Sequence, residues 1–275
     1  MPGRVLTVAE SDSSGAAGIQ ADIKTILALG GYAMTAISAV TSQSTKGITH
    51  LQALEPQFVA QQMRVTLEDL GAGAIKTGLL ANTDIVNAVG DVLEDYRAKN
   101  IPIVVDPSII ARRGEQMMDE QAIATLKRRL FVQTTVLTPN LHEAELLTGM
   151  TIRNIDDMHH ATRMLRTFGV ETVLLKAGQA LNDKASYLVA TESEERVYER
   201  PIINTKHTLG AGATLSSAIA VSLSQKMDIF AAIDRALDFM HQAILRAPDF
   251  GTVPGPMNHA FAIDKRARPP QGRDS

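Results

Sequence analysis

Hydrophobic positions along the chain follow two alternating rhythms. Compact, β-branched runs predict strands at 5–10 (VLTVAE), 33–41 (AMTAISAVT), 73–78 (GAIKTG), 101–107 (IPIVVDP), 134–140 (TTVLTPN) and 171–178 (ETVLLKAG). Between them the spacing is helical. Ile19, Ile23, Ile26 and Leu27 fall on one face of a helix predicted over 19–30, which ends at a glycine. Pro56, a favoured first-turn residue, opens a helix over 56–70. Further helices are predicted over 83–98, 119–130, 141–148, 156–168, 210–225 and 228–246. The runs 185–190 and 194–200 flank Thr191–Ser193 and predict a hairpin. Strand–helix alternation implies an α/β fold with a mostly parallel sheet covered on both faces. No linker, repeat or low-complexity block interrupts the pattern. One domain is therefore expected over 1–264, with the basic, proline-containing segment 265–275 as a flexible tail. In such sheets ligands bind beyond the carboxyl ends of the strands. That rule selects the loops 10–18, 41–47, 76–80, 106–114, 138–143, 176–179 and 207–213.

Composition narrows the function. The chain has 275 residues, 45% of them hydrophobic and 21% charged, so a sizeable core is expected. A net charge of −3 gives no strong field toward nucleic acid or an acidic membrane. Aromatic residues are 4% and tryptophan is absent, which argues against stacking on single-stranded nucleic acid. With no cysteine, disulfides, thiolate zinc sites and cysteine nucleophiles are excluded, and a cytoplasmic location is expected. The opening MPGRVLTVAESD has too short an apolar run for a signal peptide, and no stretch approaches the roughly 20 apolar residues of a membrane span.

The selected loops carry oxygen, amine and glycine chemistry. In ESDSSGAAG (10–18), Asp12 or Ser14 is either a cap with Gly15 and Gly18 shaping a turn, or part of a close-fitting substrate loop. Asp106 follows a buried strand, where an unpaired carboxylate is costly; Asn140 and Glu143 stand at the end of another. The three fit a magnesium ion held partly through water, or else ordinary helix starts. His142, His159 and His160 read as exposed residues, not metal ligands. Lys176 ends a strand and could reach nucleotide phosphates or snorkel from an edge. The GAGA turn, 210–213, precedes a long apolar helix, so its backbone N–H groups could cradle an anion. It is not a Walker A loop, because no Lys-Ser/Thr follows the glycines.

Taken in order, SDSSGAAGIQADIKT, KTGLL, VDPSIIARRGE, LTPNLHEAELLTG, VLLKAG and LGAGATLSSAIA resemble the hydroxymethylpyrimidine/phosphomethylpyrimidine kinases of thiamine biosynthesis, within the ribokinase-like superfamily. The resemblance runs from about residue 4 to 262. It implies a three-layer α/β/α sandwich, a homodimer, a small pyrimidine substrate, and ATP with Mg2+ as cofactors. By position it places Gln43 on the aminopyrimidine edge, Asp12, Gly18 and Asp22 near that pocket, and Leu79 over the ring where the family usually has Met. It places Ser108 with the substrate and Thr208 with the nucleotide. Asp106, Asn140 and Glu143 would organise metal and phosphates. Lys176 would contact ATP, and Gly210, Ala211 and Gly212 would form the anion hole.

Several positions depart from that pattern. Glu10 stands where a small glycine is usual, and Arg112 and Arg113 occupy a loop that is AKSG in the family. Ala213 replaces the Cys or Asp proposed there as catalytic base. An attacking alcohol must lose a proton, and a positioned base contributes about 10²–10⁴-fold. A phosphate monoester, with a second pKa of about 6, is already mostly ionised. The sequence thus predicts selectivity for the second of the family's two phosphorylations, with a catalytically impaired pyrimidine-binding or regulatory relative, or a pyridoxal-type vitamin kinase, as the alternatives; Arg112 and Arg113 are forks for a doubly anionic acceptor or solvated loop residues. Glu10 could hydrogen-bond an amine, exclude the alcohol, repel the phosphate or act as a displaced base.

Overall fold

The structure is a computed structural model that describes residues 2–111, 114–178, 184–251 and 254–263. Its first half runs β1 (Arg4–Asp12), α1 (Gly18–Ala28), β2 (Tyr32–Ser44), β3 (Gly47–Ala53), α2 (Pro56–Asp69), β4 (Ala74–Thr77), α3 (Thr83–Asp95) and β5 (Ile103–Val105). The second half runs α4 (Glu120–Arg129), β6 (Val136–Leu137), α5 (Leu141–Thr148), α6 (Ile155–Thr167), β7 (Thr172–Gly178), β8 (Lys184–Ala190), β9 (Glu195–Pro201), α7 (Ala211–Ser224) and α8 (Ile229–Leu245).

The strands form one nine-stranded sheet in the order β3-β2-β1-β4-β5-β6-β7-β8-β9. Pairing is parallel from β2 through β7 and antiparallel at both margins. Successive strand residues point to opposite faces. Ile75, Val105, Leu137 and Val173 enter one core, which α2 to α6 cover; Ala74, Val104, Val136 and Leu174 enter the other, under α1, α7 and α8. This is the expected three-layer α/β/α sandwich with a central, mostly parallel sheet. Helix α7 is buried continuously from Thr214 to Ser224, and its Ala and Ser residues let it lie close to the sheet. Strand order reverses at β1, which lies between β2 and β4, so the ligand crevice opens there.

Strand β3 escaped the sequence pattern. It is a polar margin strand, ITHLQA after Gly47, with little apolar alternation to read. The parallel strands β5 and β6 are shorter than the runs 101–107 and 134–140, because the chain leaves the sheet early to build the crevice loops. No described helix is long and apolar enough to cross a membrane. The expected tail, 265–275, lies outside the described residues.

Candidate active site

A cleft of about 810 Å³ runs along the carboxyl ends of the parallel strands. Glu10, Gly18, Gln43 and Leu79 line it on the side of β1, β2 and β4. Asp106, Ser108, Asn140, Glu143 and Lys176 line its middle, and Thr208 with Gly210–Ala213 forms the wall at the start of α7. Beyond them the cleft turns apolar, with Tyr187 of β8, Ile202, and Met240 and Ile244 of α8. Arg112 and Arg113 lie outside the described residues.

The wall is main chain. Gly210 has φ +87, and a Cβ there would sit 1.9 Å from the Ala16 carbonyl oxygen, so no other residue fits. The turn hands the chain into α7, whose first-turn N–H groups at Gly212 and Ala213 find no backbone acceptor among the described residues. They and the dipole end make an anion seat. A Cβ at Gly212 would lie 3.1 Å from Asp106 Oδ2 and 3.6 Å from Lys176 Nζ, so the seat, an acid and an amine converge. Ala213, the next residue to line the cleft, carries only a methyl. Thr214, the next residue, shares a 2.8 Å hydrogen bond with His259, which burial keeps neutral by lowering its pKa to about 4.

The middle of the cleft holds Asp106, with Oδ1 3.8 Å from Lys176 Nζ and Oδ2 3.5 Å from the Ser216 hydroxyl. Asn140 and Glu143 form a capping box at the start of α5. Glu143 Oε2 accepts the Asn140 N–H at 3.0 Å, and its Oε1 accepts the Ile109 N–H at 3.1 Å. Burial raises the Glu143 pKa; Lys176 opposes the rise and Asp106 adds to it. The box anchors the loop after β5, where Ser108 is held at φ +48.

Asp12 and Asp22, expected near the substrate pocket, stand behind the cleft lining. Asp12 is 1% exposed, and its carboxylate accepts hydrogen bonds from the N–H groups of Ser14 (2.7 Å), Ala16 (3.1 Å) and Ala17 (2.8 Å). It shapes the loop and does not line the cleft. Asp22 is fully buried below the cleft floor. Lys76 Nζ reaches it at 2.9 Å, the Ser217 hydroxyl donates to it at 2.6 Å, and the Thr7 hydroxyl donates as well, so no oxygen is left for substrate.

Lys76 itself escaped the sequence reading. Its signal was a lysine inside the apolar strand GAIKTG, which needs a buried acid as partner. Burial opposes its charge, yet Asp22, Asp106 and Glu10 together hold its pKa above the ordinary lysine value. Glu10 meets the opposite balance. Burial pushes its pKa up to about 7; Lys76 opposes, and Asp22 and Asp106 add to the rise. Glu10 is thus driven toward holding a proton near neutrality. Glu143 and Asp106 form no group of three acids or histidines suited to a metal cage among the described residues. Their oxygens could hold a hard cation partly through water. His142 is exposed at the rim, and His159 pairs with Glu195 at 2.5 Å on α6.

Comparison with known proteins places this cleft in a family setting. Residues 12–258 match the family described as phosphomethylpyrimidine kinase. The hydroxymethylpyrimidine/phosphomethylpyrimidine kinase of Bacillus subtilis is 37% identical over 265 residues, covering 96% of this chain and 97% of that protein. The thiamine biosynthesis bifunctional protein ThiED of Geobacter sulfurreducens is 38% identical over 262 residues; the match takes 95% of this chain but about half, 53%, of that protein. Among solved structures, the ADP complex of Bacillus subtilis pyridoxal kinase superposes with a TM-score of 0.88 at 30% identity, covering 94% of this chain and 98% of that one. The phosphomethylpyrimidine kinase of Clostridium difficile gives 0.78 at 33% identity, over 88% and 99%.

Proposed function

This chain belongs to the phosphomethylpyrimidine kinase family, and from that premise we propose that it transfers the γ-phosphoryl group of ATP to a phosphomethylpyrimidine, yielding the diphosphate. One acceptor phosphate oxygen forms a bond to the γ-phosphorus. The bond from that phosphorus to the bridging oxygen breaks, and ADP leaves with the electron pair. The observation that carries this reading is Ala213, a methyl side chain lining the cleft directly after Gly212, whose position lies close to Asp106 and Lys176. An ionised phosphate needs no base there, whereas it does need positioning and charge neutralisation. The Gly210–Ala213 backbone would hold the transferring group, and Lys176 would neutralise it. The apolar end at Tyr187 and Met240 would take the adenine. Asp106, with Asn140 and Glu143, fits a water-held magnesium ion, which would supply charge neutralisation on the phosphates.

Assay of the alcohol and its monophosphate with ATP and magnesium tests the reading. The monophosphate is expected to turn over much faster; equal turnover removes the selectivity. Ala213→Cys is expected to raise alcohol phosphorylation by about 10²-fold or more and to leave the monophosphate step nearly unchanged. The reverse ranking contradicts the proton argument. A second reading, a pyridoxal-type kinase, is favoured by the close superposition on pyridoxal kinase. Turnover of pyridoxal above both pyrimidines would establish it.

A further inference from the structure

His207 stands at the entry to the turn that leads through Gly210 into the anion seat, with its ring largely enclosed. The Gly255 N–H donates to its Nδ1 at 3.0 Å. That acceptor role places the ring proton on Nε2, which lies 2.6 Å from Asp249 Oδ1. One imidazole thus joins two points of the chain that follows α8. Gly255 is gripped at both of its polar groups: its N–H by His207, and its carbonyl oxygen by the Leu209 N–H at 3.2 Å. Leu209 and Pro256 pair there as a short parallel bridge. A Cβ at Gly255 would sit 2.4 Å from His207 Nδ1 and 2.4 Å from the Phe250 carbonyl oxygen, so the grip closes only on a glycine.

The chain after α8 is itself anchored. Met257 is buried in the core under α7 and α8, and the Asn258 N–H donates to the Ala243 carbonyl oxygen of α8 at 3.0 Å. Gly255 and Pro256 are therefore a fixed edge, against which His207 and Leu209 dock. Gly210, the next residue, meets the Ala16 carbonyl oxygen. The turn is held at two places, by the loop before α1 at Gly210 and by the chain after α8 at His207 and Leu209. Thr208 to Gly210 line the cleft, and the N–H groups of Gly212 and Ala213 follow directly.

Resting on the kinase reading above, we propose that His207 is a positioning residue for phosphoryl transfer. By clamping Gly255 it sets where the N–H groups of the seat stand relative to Asp106 and Lys176. Preorganised donors stabilise developing charge only when they are in place beforehand, and a misplacement of about 1 Å is costly. His207 touches no reacting atom; it acts through the turn. Its effect falls on the phosphates and not on the nucleoside, because the apolar end of the cleft at Tyr187 and Met240 stands on β8 and α8, away from the clamp.

Calorimetry on the whole protein tests this with AMP-PCP, an inert ATP analogue, and with adenosine, each at a temperature where the variant is folded. The ratio of the two affinities isolates the share of binding that the phosphates supply. His207→Ala is expected to lower that ratio about tenfold or more, the scale of hydrogen bonds to a charged group. It should lower kcat with the monophosphate acceptor as well, while adenosine binding holds. His207→Asn, whose Oδ1 can stand where Nδ1 accepts, should restore most of the ratio. Gly255→Ala opens the same clamp from its other side and should reproduce His207→Ala, and the double variant should be no worse than either alone. An unchanged ratio in both single variants overturns the proposal. An equal loss for AMP-PCP and adenosine does so too, since the clamp would then support the fold or the whole nucleotide site. Failure of His207→Asn to restore anything removes the acceptor role on which the proposal stands. A parent that shows the ratio but transfers phosphate to no pyrimidine keeps His207 in its role and overturns the kinase reading instead.

Discussion

The two ends of the cleft are built from different materials. The anion seat at Gly210–Ala213 is main chain at a helix start, and its donors survive any change of side chain that leaves the backbone in place. The end around Glu10 is a crowd of side chains: one buried lysine, Lys76, faces Asp22, Asp106 and Glu10. Where backbone does the binding, a side chain such as that of residue 213 can shrink to a methyl and the seat remains. Where side chains share one cation, the proton affinities of Glu10 and Lys76 both depend on the neighbouring charges. The seat tolerates substitution in chemistry but not in shape; the charged end tolerates changes of shape but not of charge.

Several substitutions would break or sharpen that contrast. The largest effect is expected at Lys76. Lys76→Met leaves Asp22 as an uncompensated buried charge and should destabilise the fold by about 3–5 kcal/mol in urea unfolding. The double variant with Asp22→Leu should recover at least half of that loss; no recovery would mean that packing, and not charge, dominates. Next comes Gly210→Ala. A Cβ 1.9 Å from a backbone oxygen at φ +87 adds strain and overpacking, roughly 2–4 kcal/mol together, and should also weaken ADP binding in titration. A variant of parental stability would show that the Ala16 loop yields easily.

Glu10→Gln isolates the charge side. The folded-state pKa of Glu10, about 7, stands above the ordinary 4.5, so the folded protein holds a proton that the unfolded chain has released. That contribution is complete below the unfolded pKa and is lost as pH rises through about 7. The stability of Glu10→Gln relative to the parent should therefore climb between pH 5 and pH 8, by roughly 1–3 kcal/mol. A flat difference across that range contradicts the crowding of carboxylates. The smallest effect belongs to the support of the seat. Thr214→Val removes the buried hydrogen bond to His259 and should lower stability by about 1–2 kcal/mol, with the anion seat itself intact.

Much of this was legible along the chain. The rhythm of VLTVAE, IPIVVDP and ETVLLK, set against helical spacing in IQADIKTILALG, contained the parallel sheet and its covering layers, because strand and helix periods are written within a few consecutive residues. The crevice loops followed from strand ends, and Gly210 announced a turn that needs a positive φ. Strand β3 was missed because a polar margin strand buries too little to impose a pattern. That Asp12 and Asp22 stand behind the cleft lining was not legible for a different reason. A carboxylate in a loop or on a helix looks the same in sequence whether it faces a ligand or its own backbone.

What the sequence determined by itself, then, was the order of elements, the layer architecture and the loops at which chemistry could occur, all properties of short-range period and turn preference. Only the tertiary structure decided which charges meet. Lys76 and Asp22 are 54 residues apart, and Ser217 reaches the same carboxylate across 195 residues. Proton affinity depends on solvent removed and on charges brought near, and both are set by the packing of distant segments. The affinity of Glu10 for its proton therefore exists only once β1, α1, β4 and the loop after β5 have closed around it.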